Sequence, residues 1–149
     1  MENLALNTNI DKNVIENFET FIKQNYENVI DTFPLEHFFS GGIYARQMTI
    51  PANGTATGAV HKYDHIVTIS KGKGYLVDEF GGYREYNAPI TFETKAGTKR
   101  AIQTITETIF TTYHKCDTTN IDEVRELLVC ETVAEYNLFI EQEKLKIEG

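Results

Sequence analysis

Cysteine is scarce in this sequence: only Cys116 and Cys130 occur in 149 residues. Two thiols without an export signal provide no disulfide framework, and the default is a cytosolic protein with free thiols. No apolar run approaches the length of a transmembrane helix, so no membrane partner is expected. The opening MENLALNTNIDKN has no basic start followed by an apolar block, so no signal peptide is expected. Basic residues are also few, 14 against 22 acidic ones, for a net charge of −8. That balance opposes a nucleic-acid partner, which needs clustered cations on the phosphates. Only Lys95, Lys99 and Arg100, in TKAGTKR, lie together, enough for one anion. Repeats, low-complexity segments and a clear linker are all absent, and the length suits one domain over 1–149 with one core.

What is present divides into three stretches. In DKNVIENFETFIKQNYENVIDTF, residues 11–33, apolar residues recur at three- and four-residue steps, which predicts an amphipathic N-terminal helix. Asp11 is its N-cap and Pro34 its stop. Its polar side is acidic, which favours packing on the core over membrane association. Residues 43–114 are rich in Val, Ile, Thr, Tyr and Phe, broken by PANG, GKG, FGGY, NAP and KAG. Short strands between regular turn signals predict an antiparallel sandwich or barrel. The strand-like runs are 43–50, 55–61, 65–70, 74–79, 83–86, 89–93, 98–104 and 108–114. FGG before YREY reads as a hairpin tip, and Ile105-Thr106 as the turn of a hairpin between the last two runs. Residues 119–145 return to helical spacing. Asn120 with Glu123, and Thr132 with Glu135, have capping-box spacing, so two short C-terminal helices are expected. The tail EQEKLKIEG is expected to fray.

Two of the four histidines stand in GAVHKYDHIVTISKGKGYL. Along an extended strand, residues four apart are separated by about 13 Å, too far to share one metal. His61 and His65 converge only if Lys62-Tyr63-Asp64 turns the chain, so that the two face each other across a hairpin at about 5 Å between Cβ atoms. His114, at the end of TIFTTYHK, shares a strand face with Thr108, Phe110 and Thr112 by alternation. Three neutral imidazoles with open positions suit a divalent transition metal, Zn²⁺, Fe²⁺, Mn²⁺ or Ni²⁺. The competing reading is three separate surface or core histidines. His37, in PLEHFFSGG, precedes the sheet region and reads as structural.

These residues carry a family resemblance. GAVHKYDHIVTISKG resembles the first conserved motif of cupins, with His61 at the second histidine, His65 at the glutamate position and Ala59 at the first histidine. KAGTKRAIQ resembles the second motif, with Lys95 in place of its proline, Gly97 matching and Arg100 at the third histidine. Only His61 of the usual ligand set is retained. A narrower set of small cupin-like proteins, often phage-encoded, is similar over roughly residues 37–130. Its ordered motifs stand here as HFFSGGIYAR, HKYDH, GTKR and TTYH, with Phe38 where that family has a second histidine. The resemblance implies a mainly β, cupin-type antiparallel β-barrel (jelly roll), with helices flanking it. It also implies a His61, His65 and His114 metal site and a homodimer in the cytoplasm, the host's if phage-encoded.

Tyr44 and Arg46 share one face of the first strand run, and with Arg100 they are the candidate substrate-binding residues, Arg46 as a clamp for a carboxylate or phosphate. An exposed Arg46, and Lys99 and Arg100 in salt bridges, are the competing expectations. Glu93 and Glu107 are candidate fourth ligands or acid–base groups, Cys116 a soft ligand or a small hydrophobe, and Tyr63 a gate or an exposed side chain. Two functions follow. One is a metal-dependent enzyme of dioxygenase, isomerase or lyase type acting on a small molecule. The other is a metal-free accessory protein binding a small ligand or a host protein, or a minor virion component.

Overall fold

Alternation between buried and exposed side chains sets the strands. In His65–Lys71, His65, Val67 and Ile69 turn inward while Ile66 is exposed. The computed structural model describes residues 33–78 and 82–148. The helix expected over 11–33 lies, except for its last residue, outside them. Ten strands precede the first described helix: β1 (Leu35–Ser40), β2 (Ile43–Ile50), β3 (Thr55–Thr57), β4 (Val60–His61), β5 (His65–Lys71), β6 (Lys73–Asp78), β7 (Gly82–Asn87), β8 (Ile90–Thr94), β9 (Arg100–Thr104) and β10 (Thr108–Lys115). Helix α1 (Ile121–Leu128), strand β11 (Val129–Cys130) and helix α2 (Val133–Glu148) follow. No described helix is long and apolar enough to cross a membrane.

The strands form a five-stranded antiparallel sheet in the order β1-β2-β10-β5-β8 and a four-stranded one in the order β3-β9-β6-β7, with β4 and β11 as a separate pair. This is a double-sheet jelly roll, mainly β as expected. It is not the closed barrel expected from the sequence, because among the described residues no ladder joins the edges of the two sheets. The expected hairpin at Ile105-Thr106 is also corrected. β9 pairs with β3 and β6, whereas β10 pairs with β2 and β5, so the chain crosses there from one sheet to the other. β6 and β7 do pair as a hairpin, Lys73 opposite Asn87 through Asp78 opposite Gly82. β1 and β11 are strands that periodicity did not disclose.

Between the sheets lies a core of Ile50, Val67, Ile69, Leu76, Tyr86 and Ile102, with Met48, Phe92 and Phe110 packed on it. The Tyr86 hydroxyl on β7 reaches Thr108 Oγ1 on β10 at 2.6 Å, a buried bond from sheet to sheet. The Thr108 hydroxyl donates to the Thr106 carbonyl at 3.1 Å, so Tyr86 is the donor in that pair. The helices begin where the capping spacings placed them. Asn120 Oδ1 accepts from Asp122 N at 3.0 Å, and Thr132 Oγ1 from Glu135 N at 3.1 Å. α1 buries Val124 and Leu128 against Tyr44 and Cys116. α2 packs Tyr136, Phe139 and Ile140 toward Val60 and Cys130. The second helix is longer than expected and takes in most of the charged tail, through Glu148.

Candidate functional site

The turn after β4 carries His61 and His65 together. It is fastened from both sides. Lys62 N donates to the Leu128 carbonyl at 2.8 Å and Lys62 Nζ to the Glu126 carbonyl at 2.7 Å. On the other side Gly97 N donates to the His61 carbonyl at 2.7 Å, and Ala96 N to Asp64 Oδ1 at 2.7 Å. Gly97 holds φ +87° in this loop, with the Tyr136 ring at 3.0 Å from where a Cβ would stand. The turn is therefore as expected, but the hairpin is not. β4 pairs with β11, and β5 with β10 and β8, so the two histidines face each other without sharing a ladder.

The structure brings His61, His65 and His114 together. Ring centroids are 4.2 Å apart for His61 and His65, 4.7 Å for His65 and His114, and 5.7 Å for His61 and His114. His114 arrives from β10, whose inward face also carries Thr108 and Thr112. His65 and His114 are buried, and His61 is half-buried. Burial is the leading cause that pushes all three below the usual imidazole value. His61 falls to about 2, helped by its two neighbours and Arg100. His65 falls to about 4, with Arg100 adding to burial while the bond to the Tyr63 carbonyl opposes it. His114 falls to about 3, with His65 and Arg46 adding to burial. All three rings are therefore neutral at pH 7.

Their hydrogen bonds define which nitrogens are free to bind. His65 Nδ1 lies 3.3 Å from the Tyr63 carbonyl. A carbonyl only accepts, so Nδ1 carries the proton and Nε2 presents a lone pair. That Nε2 is buried and has no partner. A ring N–H of His61 is likewise held by the Thr98 carbonyl. His114 Nε2 is 2.8 Å from Thr112 Oγ1. Imidazoles anchored through one nitrogen and offering the other are the form that metal ligands take, and the donor chemistry fits a borderline divalent ion. As placed, however, the His61 and His114 planes are only 10° apart, and the rings stack on one another. Among the described residues no group of three His, Cys, Asp or Glu side chains is set to hold a metal ion.

The other expected site residues are distributed unequally. Arg46 on β2 and Arg100 on β9 each lower nearby imidazoles, Arg46 that of His114 and Arg100 those of His61 and His65. Arg100 donates from both terminal nitrogens to Thr94 Oγ1 at 3.3 Å and lies 5.2 Å from the Phe92 ring centre. Lys99 is fully buried, its ammonium donating to the Gly58 carbonyl at 2.9 Å. Tyr44 is buried, stacked 5.9 Å from His114. Glu107 pairs with Lys71 at 2.8 Å on the surface, and Glu93 is exposed, so neither joins the three rings. Cys116 packs as a small hydrophobe beside Tyr44. Tyr63 is exposed and meets the edge of Phe139. An open surface cavity of about 450 Å³, lined by Lys62, Arg125, Glu126 and Glu131 among others, has none of the three rings in its wall.

His37, read from the sequence as structural, contacts a residue of the site. Its Nδ1 is 2.7 Å from the Tyr44 hydroxyl, and the rings stack at 5.8 Å. It thus joins the imidazole cluster through Tyr44. Only a strand at 35–40 could have revealed this, because the β1–β2 register sets His37 opposite Arg46 and Phe39 opposite Tyr44.

No family model matches this chain, and no curated protein matches it. Solved structures with a likeness to part of this chain do occur. A cupin-2 domain protein from Rhodospirillum rubrum has 15% identity and a TM-score of 0.49, covering 58% of this chain and 61% of that one. A cupin 2 conserved barrel domain protein from Salinispora arenicola has 11% identity and a TM-score of 0.47, covering 64% and 85%. An RmlC-like cupin family protein with a double-stranded β-helix fold from Methanocaldococcus jannaschii has 14% identity and a TM-score of 0.48, covering 62% and 87%.

Proposed function

We propose that this chain binds a small molecule between its two sheets and that His61, His65 and His114 hold a divalent transition metal there. One observation carries the reading: a buried, partnerless lone pair on His65 Nε2 inside a group of three neutral imidazoles. Leaving such an atom buried without a partner costs about 1–3 kcal/mol, which a ligand would recover. When bound, the metal supplies Lewis acidity toward an oxygen of the substrate. The chain's own residues do the rest. The carbonyls of Tyr63 and Thr98 orient the histidines, Tyr44 and Thr112 flank His114, and Arg46 and Arg100 provide positive charge.

Metal content of untagged protein tests this, compared with the His61→Ala/His114→Ala double variant. A stoichiometric transition metal lost in the variant is the expected result. A wild type that arrives without metal and also refuses Zn²⁺, Mn²⁺, Ni²⁺ and anaerobic Fe²⁺ would overturn it. The face-to-face stacking of His61 on His114 favours a second reading, a metal-free binding protein in which His65 Nε2 accepts a hydrogen bond from the ligand itself.

A further inference from the structure

The inner face of the five-stranded sheet carries a cation that no described anion meets. Arg46 on β2 stands opposite His37 on β1 and Thr112 on β10. Alternation puts it on the same face as Tyr44 and Met48, and it is half-buried there. The polar atoms beside it are engaged with one another. The Tyr44 hydroxyl meets His37 Nδ1 at 2.7 Å, and Thr112 Oγ1 meets His114 Nε2 at 2.8 Å. Among the described residues Arg46 itself has no hydrogen bond and no ion pair. Burial and the Arg125 guanidinium on α1 both oppose its charge, and Tyr44 is the one described residue that favours it. Tyr44 is no anion at pH 7, because burial pushes its hydroxyl above the ordinary phenol value.

A guanidinium does not shed its proton in a protein, so one withdrawn from water calls for an anion. Its planar fork meets two coplanar oxygens best. One guanidinium beside neutral imidazoles balances one negative charge. A carboxylate brings that single charge, whereas a phosphate monoester brings up to about two. The place of Arg46 ties such an anion to the imidazoles. His114 lies two residues beyond Thr112 on the same face of β10. That makes it the diagonal neighbour of Arg46, roughly 7–8 Å away, and Arg46 is one of the groups that lower its pKa. A carboxylate on Arg46 therefore sits at the edge of the histidine group, where one small molecule can touch both.

We infer that the ligand of this site is a small monocarboxylic acid, its carboxylate held by Arg46 and its remainder directed toward His114 and His65. The inference rests on the reading of the interior as a small-molecule site. It does not require the metal, because Arg46 binds the carboxylate in either case.

NMR titration of the full chain, metal-free and zinc-treated, with propionate, butyrate, butyramide and inorganic phosphate tests it, alongside zinc uptake. At least one of the two acids should bind roughly 10-fold more tightly than butyramide or phosphate. Arg46→Gln should bring the acids down to the butyramide level. Arg46→Lys, which keeps the charge without the fork, should fall between, and it serves as the second variant if the glutamine form melts early. Arg125→Gln, which removes the arginine of α1 that acts on Arg46, should leave acid binding within about two-fold. Butyramide or phosphate binding as tightly as the acids would overturn the carboxylate. Acid binding lost in Arg125→Gln but kept in Arg46→Gln would place the anion on the helix and overturn the inference as well. Zinc uptake without binding of either acid would overturn it and leave the proposed site standing. Neither zinc uptake nor binding of any of the four probes would defeat both.

Discussion

Acid should loosen this fold through its three neutral imidazoles. In the unfolded chain each takes up a proton near pH 6.5. In the folded chain His65 does so only near 4, His114 near 3 and His61 near 2. Between these limits the unfolded state binds more protons, so stability rises with pH. It is complete above about pH 7.5 and drains away as pH falls through 6.5 toward the folded values. At pH 5.5 each fully buried imidazole accounts for about 1.4 kcal/mol. The two buried rings, His65 and His114, together lose about 3 kcal/mol, and half-buried His61 adds up to about 1 more. For a chain of this size that corresponds to a fall in melting temperature on the order of 10 °C. Urea denaturation of chelator-treated protein at pH 7.5, 6.5 and 5.5 reads the loss. Side chains elsewhere also titrate, so the decisive comparison is with the His65→Gln/His114→Gln double variant. Its loss over the same interval should be smaller by about 3 kcal/mol. Equal losses in the two proteins would refute the neutral, buried state of these rings.

Two further expectations concern the scaffold. Gly74→Ala should destabilise by about 3 kcal/mol, seen as an early melt by circular dichroism, because the new Cβ would strike the Gln103 carbonyl and come within 2.7 Å of the Tyr86 hydroxyl and 2.9 Å of Thr104 Cα. Tyr86→Phe should cost about 1 kcal/mol in chemical denaturation by removing the one donor to Thr108 Oγ1 described above, with no change in the m-value.

The strands were legible because their side chains alternate. In β10, Thr108, Thr112 and His114 are buried while Tyr113 is exposed, as period 2 requires, although Thr111 is buried as well. Partner choice was not legible. β9 and β10 are separated by a three-residue connection that reads as a hairpin turn, and nothing local distinguishes a turn within a sheet from a crossing between two. β1 escaped because LEHFFS lies at an edge with four of its six side chains exposed, so Phe38 points outward and carries no inward signal. His61, His65 and His114 were found from spacing and alternation. The Tyr44–His37 contact was not, since it exists only through the register of the strand that was missed. Arg46 and Arg100 were singled out by charge, but their placement in different sheets needed the sheet order.

The fastening of the His61–His65 turn has a consequence for biosynthesis. Its anchors at Glu126 and Leu128, and the β4 pairing with Val129 and Cys130, come from a part of the chain made after the strands of both sheets. A polypeptide leaving the ribosome exposes both histidines early, yet the elements that hold them follow many residues later. Such distant contacts form slowly because the intervening loop must close first. The imidazole group thus gains its anchors only after the strands of both sheets are made, and a product cut off before α1 would retain most of both sheets without the grip that sets the histidines face to face.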